Sequence, residues 1–396
     1  MKDVVIIGGG ASGLAAAISA ARLGATVTIL EKNNKCGKKL LITGNGRCNF
    51  WNEDQDIVHY HSCNKDLLAE FLDNDDYVLK FFDSLGIVYN NKGGCYYPFS
   101  NQALTVQNIL VTECQRLGVE IIYNFDVFKV EKKDCFFIND KIKAKKVIVA
   151  SGSKAASKTG SDGFGYDIAL GFGHKITKVL PSLVQLKGDE DFFKKWSGIR
   201  VLSEVKLYEN GKFIKKEFGE LQLTDYGLSG ICIFNLSGIV SSGLDKNFKE
   251  VVGINFMPWT NDALGELKKL NKESFHKNIS EILEGFLNYK LVDIVLKKAG
   301  IRRDIYLSNL SKDEMERLLR SLTDFKIDVF STNSFEKAQV CQGGVSLKEI
   351  NSKTMESLKV KNLFFIGEVV DIDGDCGGYN LGWAWISGIK AGRSVI

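Results

Sequence analysis

The chain has 396 residues, of which 44% are hydrophobic and 25% are charged, and its formal net charge is +4. This length predicts two or three domains, and the composition is that of a globular protein rather than a disordered one. The small net charge, without a basic block, argues against a nucleic-acid partner, and no apolar stretch reaches the ~18 residues that a transmembrane helix needs.

The first thirty-one residues carry a dinucleotide-binding pattern. Val4 to Ile7 predict a strand, residues 8–13 (GGGASG) predict a turn, and Leu14 to Leu23 predict a helix. Val27 to Leu30 predict a second strand, which ends at Glu31. A GxGxxG turn between a strand and a helix, followed by an acid at the end of the next strand, is typical of a Rossmann domain.

Each position of this turn has an expected role. Gly8 permits the tight turn, Gly10 lets a pyrophosphate approach the backbone, and Gly13 lets the helix pack on the strand. Glu31 is expected to accept hydrogen bonds from ribose hydroxyls and to repel a 2′-phosphate. The predicted cofactor contacts in this segment are Gly8, Gly10, Ala11, Ser12, Gly13, Glu31 and Lys32.

A polar loop, LITGNGRCN, follows at residues 41–49. Its glycines allow the backbone to approach a flat cofactor closely. Two interpretations of Arg47 stay open: the guanidinium stabilises negative charge on a bound cofactor, or it ties the loop to a carboxylate or a backbone carbonyl. The predicted cofactor contacts here are Lys39, Asn45, Gly46, Arg47 and Cys48.

Cys36 and Cys48 flank this loop, and a redox-active pair is the less favoured interpretation because disulfide reductases carry two closer cysteines. The nine cysteines include no CxxC pair. Without an export signal, this usage predicts reduced thiols and a cytoplasmic protein. His59 and His61 lie in a polar stretch where no further residue completes a zinc set, so no metal site is expected.

The next stretch predicts a crossover. Asp66 to Leu85 has helical apolar spacing, and a second helix begins at Asn101 and stops at Gly118. An antiparallel meander is then expected before a strand at Val147, and Val127 within it is a predicted adenine contact. The meander comprises the alternating segments Val119–Tyr123, Asp126–Glu131 and Cys135–Ile138.

Two later segments resemble the first turn in having small residues at a strand end. KKVIVASGSKA (145–155) is a predicted strand and turn, and residues 362–392 predict a strand, a glycine-rich loop and a helix from about Leu381. The start of that helix offers free N–H groups to an anion or a carbonyl oxygen. Three such segments in this order fit FAD better than NAD alone. The predicted contacts are Ala150, Ser151, Gly152, Gly367, Glu368, Asp373, Gly378, Asn380 and Leu381.

From about residue 186 the sequence pattern changes from that of the FAD-binding segments to alternating, strand-like segments. Alternating segments on both sides of Asn210-Gly211 predict a β-hairpin. Residues 261–322 then predict helices in three segments, ALGELKKL, SEILEGFLNYKLVDIVLKKAG (280–300) and KDEMERLLRSL, and KIDVF returns as a strand. The predicted division is an FAD-binding domain in two parts, residues 1–185 and 341–396, split by a β-rich insertion (186–260), a helical insertion (261–325) and a return strand (326–340).

Several longer motifs carry a more specific resemblance. They are GGGASGLAAAISAARLGATVTILEK, GKKLLITGNGRCN, ASGSKAASKTGSDGFGYDIALGFGH, LTDYGLSG and GEVVDIDGDCGGYNLGWAWISGIKAG. With these motifs the chain resembles the aminoacetone-oxidase-like flavoproteins, a bacterial family that also includes a bile-acid 3-oxo-enoyl reductase. The resemblance implies an α/β, Rossmann-like FAD domain of glutathione-reductase type, split by a β-barrel-like and a helical insertion.

The chain also departs from the family pattern. Phe50-Trp51 intervene before Asn52, where the family commonly has a small hydroxyl residue closer to the GRCN motif. Many members have histidine where Asp225 stands here. An aspartate is ionised at pH 7 and accepts a proton or anchors an amine, so this difference bears on the substrate.

The reaction stays open between three hypotheses. No second GxGxxG follows a strand, so NAD(P)H, as a transient reductant, would dock directly over the flavin. The first hypothesis is an NAD(P)H-driven reductase of an enone-type small molecule, and the second is an oxidase of a small amine or amino-ketone that produces peroxide. The third is a flavin-binding accessory module without turnover. The insertion is expected to shape the substrate pocket, with Asp225, Tyr226 and Tyr379 as the predicted substrate-facing residues.

Overall fold

The computed structural model describes residues 1–72 and 76–396, which divide into two compact units. Unit 1 comprises Met1–Leu180 and Phe335–Ile396, and unit 2 comprises Pro181–Ser334. The sequence predicts the insertion at residues 186–340, so its two boundaries lie a few residues later than those of unit 2. The residue pattern locates the first strand of the insertion, and the compact units divide a few residues before that strand begins.

The first part of unit 1 alternates strands and helices. Its helices are α1 (Ala11–Arg22), α2 (Leu68–Phe71), α3 (Tyr77–Ser84), α4 (Ala103–Arg116) and α5 (Phe164–Gly171). Its strands are β1 (Lys2–Ile7), β2 (Val27–Leu30), β3 (Trp51–Asn52), β4 (Tyr60–His61), β5 (Tyr89–Lys92), β6 (Cys95–Pro98), β7 (Glu120–Ile122), β8 (Val130–Lys132), β9 (Phe136–Ile138), β10 (Ile142–Val149) and, at the boundary, β11 (Leu180–Ser182).

Unit 2 contains a sheet and a group of helices. Its strands are β12 (Leu186–Lys187), β13 (Arg200–Glu209), β14 (Lys212–Leu223), β15 (Gly227–Gly230), β16 (Glu250–Asn255), β17 (Phe325–Val329) and β18 (Ser331–Thr332). Its helices are α6 (Phe193–Trp196), α7 (Ile231–Asp245), α8 (Ala263–Glu273), α9 (Ile279–Glu284), α10 (Tyr289–Ala299) and α11 (Lys312–Thr323). The chain then returns to unit 1 with β19 (Val340–Gln342), β20 (Leu363–Phe365), β21 (Asp373–Gly374) and α12 (Tyr379–Ser394).

The main sheet of unit 1 has a parallel centre. β7, β2, β1 and β10 lie in this order and run parallel, and β20 pairs parallel with β10. Ile7 pairs with Val149, and Val149 pairs with Phe365, so three strands end at the same level. The small-residue segments that follow these strands therefore meet at one edge of the sheet, which is where open α/β sheets bind ligands.

Two predictions for unit 1 need correction. The segment Val119–Tyr123 was expected in an antiparallel meander, but β7 lies there and runs parallel to β2. The antiparallel part that the structure describes consists of β9, which pairs with β10, and β8, which pairs with β9. An alternating segment looks the same in both settings, because periodicity does not report the direction of the partner. The helix predicted over Asp66–Leu85 is divided into α2 and α3, and its residues 73–75 lie outside the described residues.

Each unit has a hydrophobic core of its own. In unit 1 the strands β1 and β2 present buried Val, Ile and Leu side chains, and α1 is buried along most of its length. Such continuous apolar strands are typical of a parallel sheet that is covered on both faces. Among the described helices, none combines the length and the apolar character that crossing a bilayer requires.

The sheet of unit 2 is antiparallel, with the order β17-β16-β13-β14-β15-β12-β18. The predicted hairpin is confirmed: Asn210 and Gly211 join β13 and β14, and their φ angles are 48° and 82°. Such positive angles are those of the tight hairpin turns that favour Asn-Gly. The helical pattern of residues 280–300 is two helices rather than one, because the side chain of Asn288 accepts a hydrogen bond from the Lys290 N–H and starts α10 anew.

Candidate functional site

The three small-residue segments of unit 1 touch one another. Gly8 has a φ of 104°, and a Cβ atom there would lie 2.5 Å from the carbonyl oxygen of Ala150. A Cβ atom on Gly367 would lie 2.6 Å from the Ser12 hydroxyl oxygen at the start of α1. The turns after β1, β10 and β20 therefore form one cradle, for which glycine is required where two backbones meet.

Glu31 braces the first turn of this cradle. One carboxylate oxygen accepts from the Gly9 N–H at 2.8 Å, and the other accepts from the backbone and the side chain of Asn33, both at 2.8 Å. The segment that carries Val127 runs alongside, since the Phe125 N–H donates to the Glu31 carbonyl at 2.9 Å. The chain that leads to the predicted adenine contact is thus hydrogen-bonded to the predicted ribose contact, and Val127 is buried.

Two of the predicted lysine contacts are engaged in ion pairs. Lys32 lies 2.8 Å from Asp162 and 3.1 Å from Asp126. Lys39 lies 2.6 Å from Glu368, and the Ser153 hydroxyl donates to the same carboxylate oxygen at 2.9 Å. Both lysines are therefore neutralised by carboxylates of the chain.

The LITGNGRCN loop makes a tight reversal in which Gly44 and Asn45 adopt left-handed conformations. The Arg47 side chain is exposed, its Nε donates to the Gly44 carbonyl at 3.1 Å, and its guanidinium carbon lies 5.4 Å from the centre of the Tyr97 ring. These contacts favour the second interpretation of Arg47, in which it ties the loop together.

The two cysteines that flank this loop are poor redox groups. All nine cysteines are free in the structure, and both Cys36 and Cys48 are buried. Burial, with a smaller effect of the Glu31 charge, raises the pKa of the Cys36 thiol to about 12. Burial also raises the pKa of the Cys48 thiol to about 12. Because the thiolate is the reactive form, neither side chain is prepared for thiol–disulfide exchange near pH 7.

We therefore expect a Cys36→Ala/Cys48→Ala double variant to keep its bound flavin and the rates at which the flavin is reduced and reoxidised. The measurement is anaerobic stopped-flow absorbance, with the wild type beside the variant. Loss of one of the two half-reactions from a variant that retains flavin would restore the dithiol hypothesis.

The glycine-rich tail packs on the end of the LITGNGRCN loop. A Cβ atom on Gly378 would lie 2.8 Å from the Trp51 carbonyl oxygen and 3.0 Å from the Asn49 amide oxygen. The Asn52 amide donates to the Gly377 carbonyl at 2.8 Å. The side chain of Asn380 spans its own loop, accepting from the Gly374 N–H at 3.0 Å and donating to the Gly374 carbonyl at 2.7 Å. The start of α12, with Leu381, is thereby fixed beside the loop.

A group of polar side chains beside this tail was missed. Asp375 accepts from His59 and His61, which lie 3.2 Å and 3.0 Å away, and the His59 ring stacks on Tyr379 with the ring centres 4.6 Å apart. The pair of histidines two residues apart was noticed, but its carboxylate partner lies more than 300 residues away in the chain. Asn52 was likewise not among the predicted contacts.

Asp225 and Tyr226 belong to unit 2. They are exposed in the turn between β14 and β15, which the hydrogen bond from the Thr224 N–H to the Gly227 carbonyl closes at 3.0 Å. The Tyr226 carbonyl accepts from the Gly188 N–H at 3.1 Å. Both side chains are therefore presented from an anchored turn.

The cradle fits a long polar cofactor. The hydroxyl oxygen of Ser151 and the amide oxygen of Asn49 are buried without a hydrogen-bond partner among the described residues. A buried polar atom of this kind costs about 1–3 kcal/mol unless a ligand satisfies it. The first N–H groups of α1 and α12 also need acceptors, and α1 carries no acid in its first turn. These donors and acceptors suit the phosphates, ribityl chain and ring edge of FAD.

A family comparison agrees with this geometry. Residues 2–394 match the model of the family described as "HI0933-like protein Rossmann domain". The chain belongs to this family. It is an FAD-dependent oxidoreductase with a Rossmann-type FAD-binding domain, as the longer motifs implied, and the hypothesis of a flavin-binding accessory module is therefore set aside.

Several relatives cover the whole chain. It is 37% identical to the 3-dehydro-bile acid delta(4,6)-reductase of Clostridium scindens, over 100% of this chain and 99% of the relative. It is 31% identical to the ribosomal RNA dihydrouridine synthase of Haemophilus influenzae, over 100% and 98%. Among solved structures, 3-ketosteroid-delta4-(5alpha)-dehydrogenase from Rhodococcus jostii shares the fold, with a TM-score of 0.52, 13% identity, and coverage of 99% of this chain and 96% of that one.

Proposed function

We propose that this HI0933-like flavoprotein is an NAD(P)H-driven reductase that adds hydride to a carbon–carbon double bond conjugated with a carbonyl group. The observation that carries the proposal is the 37% identity to a 3-dehydro-bile acid reductase along the entire chain. The name of that relative describes the reduction of alkene bonds in a steroid whose 3-position is oxidised. The enone-type small molecule expected from the sequence is a substrate of this kind.

The dihydrouridine synthases support the same bond type. Uracil becomes dihydrouracil when hydrogen adds to its 5,6 double bond, which is conjugated with a ring carbonyl. Two relatives with different substrates are thus named for the same chemical change. We infer that the conjugated C=C–C=O unit, rather than the molecule around it, is the common feature.

We propose a small molecule, rather than RNA, as the carrier of that unit. Cations and acids nearly balance in unit 2, and many are paired, as Arg303 is with Glu284 and Asp293. RNA binding would favour an excess of unpaired cations. A base in ribosomal RNA remains the second candidate, because two synthases match the whole chain at 31% and 30% identity. We retain the cytoplasm as the proposed location, where NAD(P)H is available.

The cradle residues would hold the cofactor. The turn at Gly8–Gly13 and the start of α1 would receive the pyrophosphate, Glu31 the ribose, and the start of α12 the flavin ring edge. Bound FAD supplies the two-electron chemistry that carries hydride between NAD(P)H and the substrate. The chain contributes orientation of both partners and a proton for the product.

The reductive half-reaction separates this proposal from the amine oxidase alternative. The flavin is mixed without oxygen with NADPH, NADH, or a set of small amines and amino-ketones, and its absorbance near 450 nm is followed. We expect bleaching by a nicotinamide at a catalytically useful rate. Bleaching only by an amine or amino-ketone, with peroxide on readmission of air, would contradict the reductase and establish the oxidase.

We further propose that Asp225 faces the substrate. Asp225→Asn keeps the size of the side chain and removes its charge, so turnover is expected to change while FAD stays bound. The paired measurement is steady-state turnover and the ratio of flavin to protein after purification, with Asp328→Asn, another exposed aspartate of unit 2, as the control. Loss of FAD from Asp225→Asn would show that the residue supports the cofactor instead.

A further inference from the structure

The segment at residues 54–61 is attached to the glycine-rich tail by a short ladder. β4 and β21 are antiparallel, with His61 opposite Asp373, and the Asp375 N–H donates to the His59 carbonyl at 2.9 Å. The tail then continues through Gly377 and Gly378 into α12. Side chains of this segment are therefore held next to the part of the cradle that would receive the flavin ring.

Four side chains form a continuous hydrogen-bonded series on this ladder. Asp54 lies 3.1 Å from His59 Nε2, and Asp375 lies 3.2 Å from His59 Nδ1. The other oxygen of Asp375 lies 3.0 Å from His61 Nε2. The side chains at the two ends of the series, Asp54 and His61, are 62% and 40% exposed, and that of Asp375 between the two histidines is 9% exposed, so the series connects solvent with a nearly buried carboxylate.

The two carboxylates of this series, Asp54 and Asp375, act as hydrogen-bond acceptors for the histidine rings. A carboxylate only accepts hydrogen bonds, so both contacts of His59 are hydrogen bonds when its ring carries two protons. Tyr379 stacks on the same ring, and Asp373 lies opposite His61 in the ladder. Burial, together with the charges of Asp54 and Asp375, raises the pKa of Tyr379 above its usual value, so the phenol stays protonated.

We propose that His59 is the proton donor of the reaction, and that Asp375 and His61 are the positioning residues that hold it. This inference rests on the proposed function. The substrate takes a hydride at its β-carbon, and the electron pair of its double bond moves to form an enolate. The α-carbon of the enolate then takes the Nε2 proton of His59, for which Nε2 exchanges its contact with the exposed Asp54 for the substrate, and solvent afterwards returns a proton to Nε2.

The proposal assigns different effects to the two half-reactions. Reduction of the flavin by a nicotinamide needs no proton at the α-carbon, whereas reoxidation by an enone does. General acid catalysis typically contributes about 10²–10⁴-fold, so His59→Gln should slow reoxidation by an enone about 100-fold and leave flavin reduction unchanged. Asp375→Asn should have the same selectivity, because it replaces one of the two acceptor oxygens with a donor and can no longer accept from both rings.

The test uses enzyme whose flavin is reduced photochemically and then mixed without oxygen with cyclohex-2-enone or a 3-oxo-Δ4 steroid, between pH 5 and pH 9. Loss of the proton donor should lower the rate of reoxidation at every pH in this range. His276→Gln is the matched control, because His276 is exposed in unit 2. Flavin content and thermal melting are recorded for every variant.

Each outcome is decisive. Wild-type and His59→Gln rates that coincide across the pH range would overturn the inference and leave the proposed function standing. Equal slowing of both half-reactions, or loss of FAD, would show that the series only supports the tail. Failure of the wild type to be reoxidised by any enone, with reoxidation by air intact, would overturn the proposed function and the inference with it.

Discussion

Gly10→Ala is expected to weaken FAD binding at least about tenfold, or about 1.4 kcal/mol, without changing the stability of the flavin-free protein. A Cβ atom on Gly10 would meet no atom within 4 Å, and its φ of −77° is open to any residue. Nothing in the chain itself therefore requires glycine there. The expected reason for glycine is the approach of the cofactor pyrophosphate to the backbone.

Gly13→Ala, three residues along, is the matched contrast. A Cβ atom on Gly13 would lie 2.0 Å from the Gly8 carbonyl oxygen, so helix α1 and the turn would have to separate. Overpacking of this kind costs about 1–3 kcal/mol, and the flavin-free protein should melt at a lower temperature. Equilibrium FAD titration of deflavinated protein and thermal melting separate the two effects. Wild-type FAD affinity in Gly10→Ala would contradict the placement of the pyrophosphate at this turn.

Glu250→Gln is expected to stabilise the protein above pH 7. Glu250 is buried at the start of β16, and both of its carboxylate oxygens lack a hydrogen-bond partner among the described residues. Burial, with a smaller effect of the Glu209 charge across the ladder, raises the pKa of Glu250 to about 7. The folded state therefore favours the protonated form of this carboxyl.

The sign of the pH dependence follows from the unfolded chain, in which a glutamate titrates at about 4.5. Below that pH the carboxyl is neutral in both states and carries no penalty. As the pH rises to about 7, the unfolded state loses its proton first and wild-type stability falls; above pH 7 the loss is constant. The gain from Glu250→Gln should thus grow over this window to about 3 kcal/mol.

Urea unfolding between pH 4.5 and pH 8.5, followed by the fluorescence of the tryptophans, measures this difference. Glu204→Gln is the control on neighbouring β13, because a hydrogen bond from Lys216 lowers the pKa of Glu204 and its replacement should not stabilise. A stability difference between Glu250→Gln and the wild type that does not vary with pH would contradict the account of this carboxyl.

The parts of the fold that the sequence predicts well are those set by local pattern. Val4–Ile7, the glycine turn and the apolar helix after it form one continuous unit, and Asn210-Gly211 specifies its hairpin within two residues. The break between α9 and α10 was missed because the side-chain cap of Asn288 is a single contact within an unbroken apolar pattern.

The candidate site divides in the same way. The glycine positions of the cradle can be predicted from the sequence because each follows a strand. Their roles toward FAD stay predictions. The sequence allows two interpretations of Arg47, and its contact with the Gly44 carbonyl and its position over Tyr97 favour the one in which it ties the loop together. The pairing of His59 and His61 with Asp375 joins residues at opposite ends of the chain, which no local periodicity reports.

The most direct test of the proposed reaction is the oxidative half-reaction on its own. Wild-type enzyme with fully reduced flavin is mixed without oxygen with a 3-oxo-Δ4 steroid, with cyclohex-2-enone and, in a separate arm, with uridine-containing ribosomal RNA. We predict return of the oxidised flavin spectrum with an enone, and formation of one saturated ketone per flavin. Flavin that stays reduced in the presence of each enone, and is reoxidised only by RNA or by air, would contradict the account.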